Sequence, residues 1–369
     1  MRKGKPGLGR ESIAAGAGSG VALLAGLALD LTLAFLLGAG AQTDALFVAL
    51  RIPLAVAVFF TPAAIQVLIP TITGWLHEHD QRATNARISA VVVVTMALTG
   101  LITLVGIAVA PVLMTLIAPG LSDTYTQLAV DLSRIAFLVI PPIAVSEVLR
   151  AYRHARRSHG LASALHGTMA LTILVILLAF AGSIGVRMAA WAYVVGATIQ
   201  AAASWVLARR AGFAFASGGL YVKELKRLGS RVAGPLAGSG VQLGTRLGEQ
   251  IFASFLAPGS ITVLNLAHRL ISAIGGSAFF RPLTTAFIAP MSQMFVSKDE
   301  GGMQALLRKG LRAVLFLSLF LMALVAIAGG PFIAGLFGRG NFGVEPARVL
   351  GIVVAVYSAS LPTAALQRM

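Results

Sequence analysis

Apolar residues fall in long unbroken runs along this chain, neither alternating nor confined to one narrow stripe. Ten such runs recur, at 12–38, 44–73, 87–116, 124–150, 160–182, 186–208, 230–256, 260–291, 310–337 and 346–366. As a helix rising about 1.5 Å per residue, each is long enough to cross roughly 30 Å of hydrocarbon. Backbone groups inside lipid must pair within their own segment, so runs of this kind predict helices. A barrel would need segments of about ten alternating residues, a pattern the chain lacks. The expected fold class is therefore an all-α polytopic membrane protein with about ten transmembrane helices.

Composition agrees with this reading. Of 369 residues 57% are hydrophobic and 11% charged, too few polar groups to cover a water-soluble domain. The net charge of +16 sits mostly between the runs, so it speaks for orientation and not for nucleic acid. With the N-terminus in the cytoplasm, the inside segments hold Arg2, Lys3, Lys5, Arg10, Arg82, Arg153, Arg156, Arg157, Arg209, Arg210, Lys223, Lys226, Arg227, Lys298, Arg308, Lys309 and Arg368. The outside loops hold Arg187 and Arg339. The positive-inside rule thus predicts a cytoplasmic N-terminus. The basic start leads into a full-length run with no small-residue cleavage site, which predicts an uncleaved first helix. Cysteine is absent, excluding disulfides and thiolate metal sites.

The chain repeats itself. Ala17-Gly18-Ser19-Gly20-Val21 returns as Ala237-Gly238-Ser239-Gly240-Val241, Pro111 as Pro331 and Pro142 as Pro362, each 220 residues on, and Arg51 as Arg269. A repeat containing six spans returns to its starting side, so the two copies run parallel, about an axis along the membrane normal. This predicts a six-helix lobe at 1–209, a cytoplasmic linker at 210–229 and a partial second lobe of four helices at 230–369. The first copy has two spans, at 160–208, whose counterparts do not follow, which predicts a C-terminally truncated second lobe. Parallel duplicated halves are a transporter arrangement, with substrate bound near the midplane and exposed alternately to either side.

Ionisable residues within spans are costly and mark candidate sites. They are Asp30, Asp44, Arg51, Asp131, Arg134, Glu147, Arg246, Glu249, Arg269, Arg281 and Arg348. Glu147, Arg281 and Arg348 lie near span ends and are expected to reach the headgroups. Arg51 and Arg269 occupy matching positions, where they either face a shared cationic cavity suited to phosphate or pair with acids such as Asp44 to pin helices. Arg246 and Glu249 share one helical face and either neutralise each other or leave Glu249, like Asp30, to bind a coupling proton or sodium ion. Arg134 joins these as a coupling or gating candidate. Gly16, Gly20, Gly234, Gly238, Gly240 and Gly244 predict close helix packing on spans one and seven. His77-Glu78-His79-Asp80 lacks metal-ligand spacing and reads as a solvated loop, so no metal is expected. No Walker A motif is present, and Gly16 to Gly20 follow no strand, so no nucleotide cofactor is expected.

Gly38-Ala39-Gly40-Ala41-Gln42-Thr43-Asp44-Ala45-Leu46-Phe47-Val48-Ala49-Leu50-Arg51-Ile52-Pro53 resembles the signature of the MurJ/MviN family. Ile251 to Ser260, Ala267-His268-Arg269-Leu270 and Leu336 to Phe342 carry the same resemblance, which covers essentially the whole chain. Those proteins are lipid II flippases of the multidrug/oligosaccharidyl-lipid/polysaccharide exporter superfamily. The resemblance implies outward movement of lipid-linked peptidoglycan precursor, or a related polyprenyl-linked glycan, by alternating access. The protein would be a non-enzymatic, multi-pass monomer of the bacterial cytoplasmic membrane, with membrane lipids as its other partners. Arg269 and Arg51 would bind phosphates, with Asp44 holding a gate or an arginine, and a proton, sodium ion or the membrane potential would drive transport. Leu23, Leu29, Val56, Ala57 and Val58 stand where the family carries basic residues, and Ser272 where it carries an acid. Those departures keep two alternatives open: an exporter of the same fold for another glycolipid, drug or organic ion, and a non-transporting scaffold for envelope synthesis.

Overall fold

A computed structural model describes residues 8–156, 159–183, 185–216, 221–274 and 299–366, with isolated positions between 287 and 297. All regular elements among them are helical. They are α1 (Leu8–Leu37), α2 (Ala41–Ala63), a π-helical turn (Ala64–Leu68), α3 (Ile69–Glu78), α4 (Gln81–Ile117), α5 (Asp123–Phe137) and α6 (Ile140–Ala155). There follow α7 (His159–Ala179), α8 (Val186–Arg210), α9 (Val222–Ser254), α10 (Ser260–Ser272), α11 (Glu300–Phe337), α12 (Val344–Ser358) and α13 (Leu361–Leu366). Every predicted span falls on helix, the eighth being described through Ile274 and then at 287, 290 and 291. Six helical stretches among the described residues are long and apolar enough to cross a bilayer.

The repeat is visible in the elements. The long helices α4 and α11, of 37 and 38 residues, each carry one internal proline, Pro111 and Pro331. Each also starts at an aspartate N-cap. Asp80 Oδ1 accepts from the Ala83 amide at 2.8 Å, and Asp299 Oδ1 from the Gly302 amide at 2.8 Å. Both carboxylates satisfy amides that the first helical turn leaves unpaired. The next span is broken in both copies: α5 gives way to α6 just before Pro141-Pro142, and α12 to α13 just before Pro362. Proline lacks the N–H that would continue the ladder and clashes with the preceding turn, so a new helix starts there.

Two compact units form, one of 1–29 and 41–258, the other of 30–40 and 259–369. In the first, a core under α3, α4, α6 and α8 is built from Ile72, Trp75, Ile88, Leu149, Tyr152 and Phe213. Leu225, Leu228 and Val232, spaced along one face at the start of α9, pack on it. That face explains why α9 begins at Val222 and not at position 230, where hydrophobicity alone starts the span. In the second unit Leu266, Val314, Phe337, Leu350 and Leu361 form the core.

One expectation fails. A Cβ added at Gly20, Gly234, Gly238, Gly240 or Gly244 would meet nothing within 4 Å, so these glycines do not mediate close packing. Close approach occurs instead at Gly106, on which the Phe137 ring rests, and at Gly120 against the backbone of Ser254.

Candidate substrate and gating residues

In the second unit the end of α1 and the start of α10 bring two candidates together. Gly259, at φ 96°, adopts the left-handed backbone that turns the chain into α10; an added Cβ would lie 2.9 Å from the Ala39 carbonyl oxygen. Arg269 then sits about 13 Å along α10, and Asp30 about 10 Å back from the end of α1. The Arg269 guanidinium donates to the Asp30 carboxylate, forming an ion pair. The carboxylate is buried, whereas the Arg269 side chain keeps 34% exposure. His268 beside it stacks edge-on against Tyr357, ring centroids 4.5 Å apart. The residue expected to bind phosphate and one expected to bind a coupling ion are thus partners.

The motif containing Asn341 has a role the sequence did not disclose. Its amide donates to the Phe35 carbonyl at 2.9 Å and its side chain to the Leu36 carbonyl at 2.7 Å. These bonds close the end of α1, whose last carbonyls have no intrahelical partner. Gly38, at φ 72°, fits there because the Asn341 backbone leaves no space for a Cβ. A turn asparagine following Arg-Gly would be the available signal.

In the first unit Arg51, half-buried on α2, donates from Nε to Gln250 Oε1 at 2.8 Å. Gln250 is fully buried on α9, and its Nε2 reaches the Ile117 carbonyl at 3.5 Å. One turn on, Ser254 accepts from the Gly120 amide at 3.0 Å. These contacts fasten α9 to α2 and to the end of α4. Asp44 is buried in the first turn of α2, where the helix dipole favours a carboxylate. Glu249 is half-buried and Arg246 exposed on α9. Arg134 is exposed on α5, 3.9 Å from Asp131, which also binds Arg187 at 3.3 Å. Arg281 lies outside the described residues.

The sequence misplaced Glu147. It was expected to reach the headgroups, but on α6 it is buried, ion-paired with equally buried Arg150 and hydrogen-bonded by the Thr61 hydroxyl just before Pro62. Ser146 joins Ser204 at 2.8 Å and receives Gln200 at 3.3 Å, extending a polar interior between α6 and α8. The i,i+3 spacing of Glu147 and Arg150 was the signal available. Proximity to a span end hid it: the predicted span stops at 150, whereas α6 runs from Ile140 to Ala155 and places Glu147 at its middle.

Long apolar helices, elements that recur along the chain and charges paired within the spans define a polytopic membrane protein. The sequence profile of the family described as lipid II flippase MurJ matches residues 33–369, so the chain belongs to that family. It is 27% identical over 360 residues to lipid II flippase MurJ of Burkholderia cenocepacia, covering 93% of this chain and 69% of that protein. Against a MurJ relative from Buchnera aphidicola subsp. Schizaphis graminum it is 25% identical over 328 residues, covering 85% and 62% respectively. The chain therefore spans about two thirds of these relatives. A structure of lipid II flippase MurJ in an inward closed conformation superposes with a TM-score of 0.77 at 15% identity, covering 96% of this chain and 73% of that one. An inward-facing multidrug resistance MATE family transporter of the MOP superfamily gives 0.65 at 14%, covering 94% and 80%. At these identities the two structures establish the shared fold.

Proposed function

We propose that this protein moves lipid II, or a related polyprenyl-linked glycan, outward across the bacterial cytoplasmic membrane by alternating access. The observation that supports this most is the ion pair between Arg269 and Asp30, 239 residues apart in the chain. A partly exposed guanidinium can exchange a carboxylate for phosphate oxygens, to which it makes two parallel charge-assisted bonds. Its departure would leave Asp30 as an unpaired charge in a buried place, which is costly. Asp30 then takes up a proton or sodium ion, and substrate binding is linked to the driving gradient. Arg51, oriented by Gln250, serves as a second phosphate ligand, and Asp44 holds a gate. Glu249, Arg246 and Arg134 are further coupling or gating candidates. The protein acts as a monomer with its N-terminus in the cytoplasm.

Translocation of fluorescent lipid II in vesicles containing the full-length protein tests the reading. Arg269→Ala should reduce transport at least about tenfold, the loss of one charge-assisted contact of 1.5–3 kcal/mol. Asp30→Asn should transport but lose dependence on the ion gradient. Undiminished transport by folded Arg269→Ala would overturn the role given to that residue.

A further inference from the structure

The two titratable side chains of α10 stand beyond opposite edges of its apolar stripe. Val263, Leu266, Ala267, Leu270, Ile271 and Ile274 pack in the core of the second unit. At about 100° per residue these positions share one face of the helix, with His268 beyond one edge of it and Arg269 beyond the other. Each of the two meets a different helix. Arg269 pairs with Asp30 of α1, and His268 stacks on Tyr357 of α12, ring centroids 4.5 Å apart and ring planes at 61°. Burial of the stripe does not choose between neighbouring rotations of α10, because apolar contact is non-directional. An edge-to-face ring pair does choose, since it needs a set distance and angle.

Tyr357 is firmly seated. It lies in the last turn of α12, where its carbonyl accepts from the Ser360 amide at 2.9 Å and from the Ser360 hydroxyl at 2.7 Å. The adjacent Ser358 hydroxyl donates to the Met322 carbonyl of α11 at 3.4 Å. The ring is therefore presented from a closed turn, just ahead of the break at which α13 begins.

We infer that His268 is a positioning residue for Arg269: its ring, held on Tyr357, fixes the rotation of α10 that brings the guanidinium to Asp30. Without the ring contact α10 can turn against its core, and the guanidinium leaves a buried carboxylate behind. The contact works through ring shape and not through charge, so phenylalanine at 268 serves in place of histidine. Its consequence for transport rests on the phosphate-binding role proposed above for Arg269, whereas the positioning itself does not.

Thermal unfolding of the full-length protein in detergent tests the positioning without any cargo. With His268 present, Asp30→Asn should lower Tm, because it removes the carboxylate that Arg269 binds. In a His268→Ala background, and separately in a Tyr357→Leu background, Asp30 is already a buried carboxylate parted from its guanidinium. There the same change should leave Tm unaltered or raise it. In a His268→Phe background it should lower Tm again. An equal fall in every background, or no fall with His268 present, would overturn the positioning, and a phenylalanine background that behaves like alanine would overturn the part given to ring shape. Translocation of fluorescent lipid II in vesicles extends the test to function. His268→Ala should slow transport about fivefold, the free energy of one ring pair expressed as a population of correctly aimed Arg269. His268→Phe should not slow it, and His268→Ala should add nothing to Arg269→Ala. Additive losses would overturn a role exercised through Arg269. Full transport by Arg269→Ala beside the expected Tm pattern would instead overturn the phosphate-binding role and leave His268 as a positioning residue.

Discussion

Glu147 and Arg150 show how a charged pair can be held inside a membrane protein. Neither could be buried alone, since an isolated charge away from water costs several kcal/mol. Arg150 and the Thr61 hydroxyl both satisfy the Glu147 carboxylate, so Glu147→Gln leaves a buried guanidinium without its counter-charge. We expect a loss of about 3–5 kcal/mol, seen as a marked fall in Tm of the detergent-solubilised protein. The double variant Glu147→Leu/Arg150→Met, of similar volume and uncharged, should recover most of that loss. If the single variant unfolds at the temperature of the parent, the pair is not structural. The sequence showed that Asp30, Arg51 and Arg269 were out of place in their spans, because a charge in an apolar run is visible without coordinates. Their partners were not visible. Asp30 and Arg269 are 239 residues apart, and Arg51 meets Gln250, a neutral residue with no reason to stand out in a one-dimensional reading.

Helices were the most readable level, for a physical reason. In lipid, hydrophobic length decides where a helix must be, and proline offers places for it to break, although Pro111 and Pro331 lie inside unbroken helices. The breaks at Pro141-Pro142 and Pro362 follow from the residues, as do the long helices α4 and α11. Less readable were starts set by polar contacts. Asp80 seemed part of a solvated loop and is an N-cap, and α9 begins early because Leu225 and Leu228 find a core. The glycine-rich faces misled, since small residues permit close packing but do not compel it. Equivalent caps give an element-level test. Asp80→Ala and Asp299→Ala should each weaken the first turn of their helix by about 1 kcal/mol. Hydrogen exchange at the amides of α4 and α11 should then quicken about fivefold in the first turn only. Exchange that quickens along the whole helix would mean that the caps govern more than the ends.

The duplicated plan ties these levels together. Matching caps, prolines and breaks recur in α4 to α6 and α11 to α13, so one folding solution has been used twice, and a change at one position has a natural control at the other. Orientation is the property of the whole chain that the charges predict most sharply. Basic residues crowd the segments between even and odd spans, and each would resist transfer across the membrane. Two single-cysteine variants in the cysteine-free chain decide it. Glu78→Cys lies at the last residue of α3, and Gly182→Cys between α7 and α8; both positions are exposed. In intact cells a membrane-impermeant maleimide should label Gly182→Cys and leave Glu78→Cys unlabelled until the membrane is permeabilised. The reverse pattern would invert the protein in the membrane. Both copies would invert together, since a repeat with an even number of spans returns the chain to the side it started from.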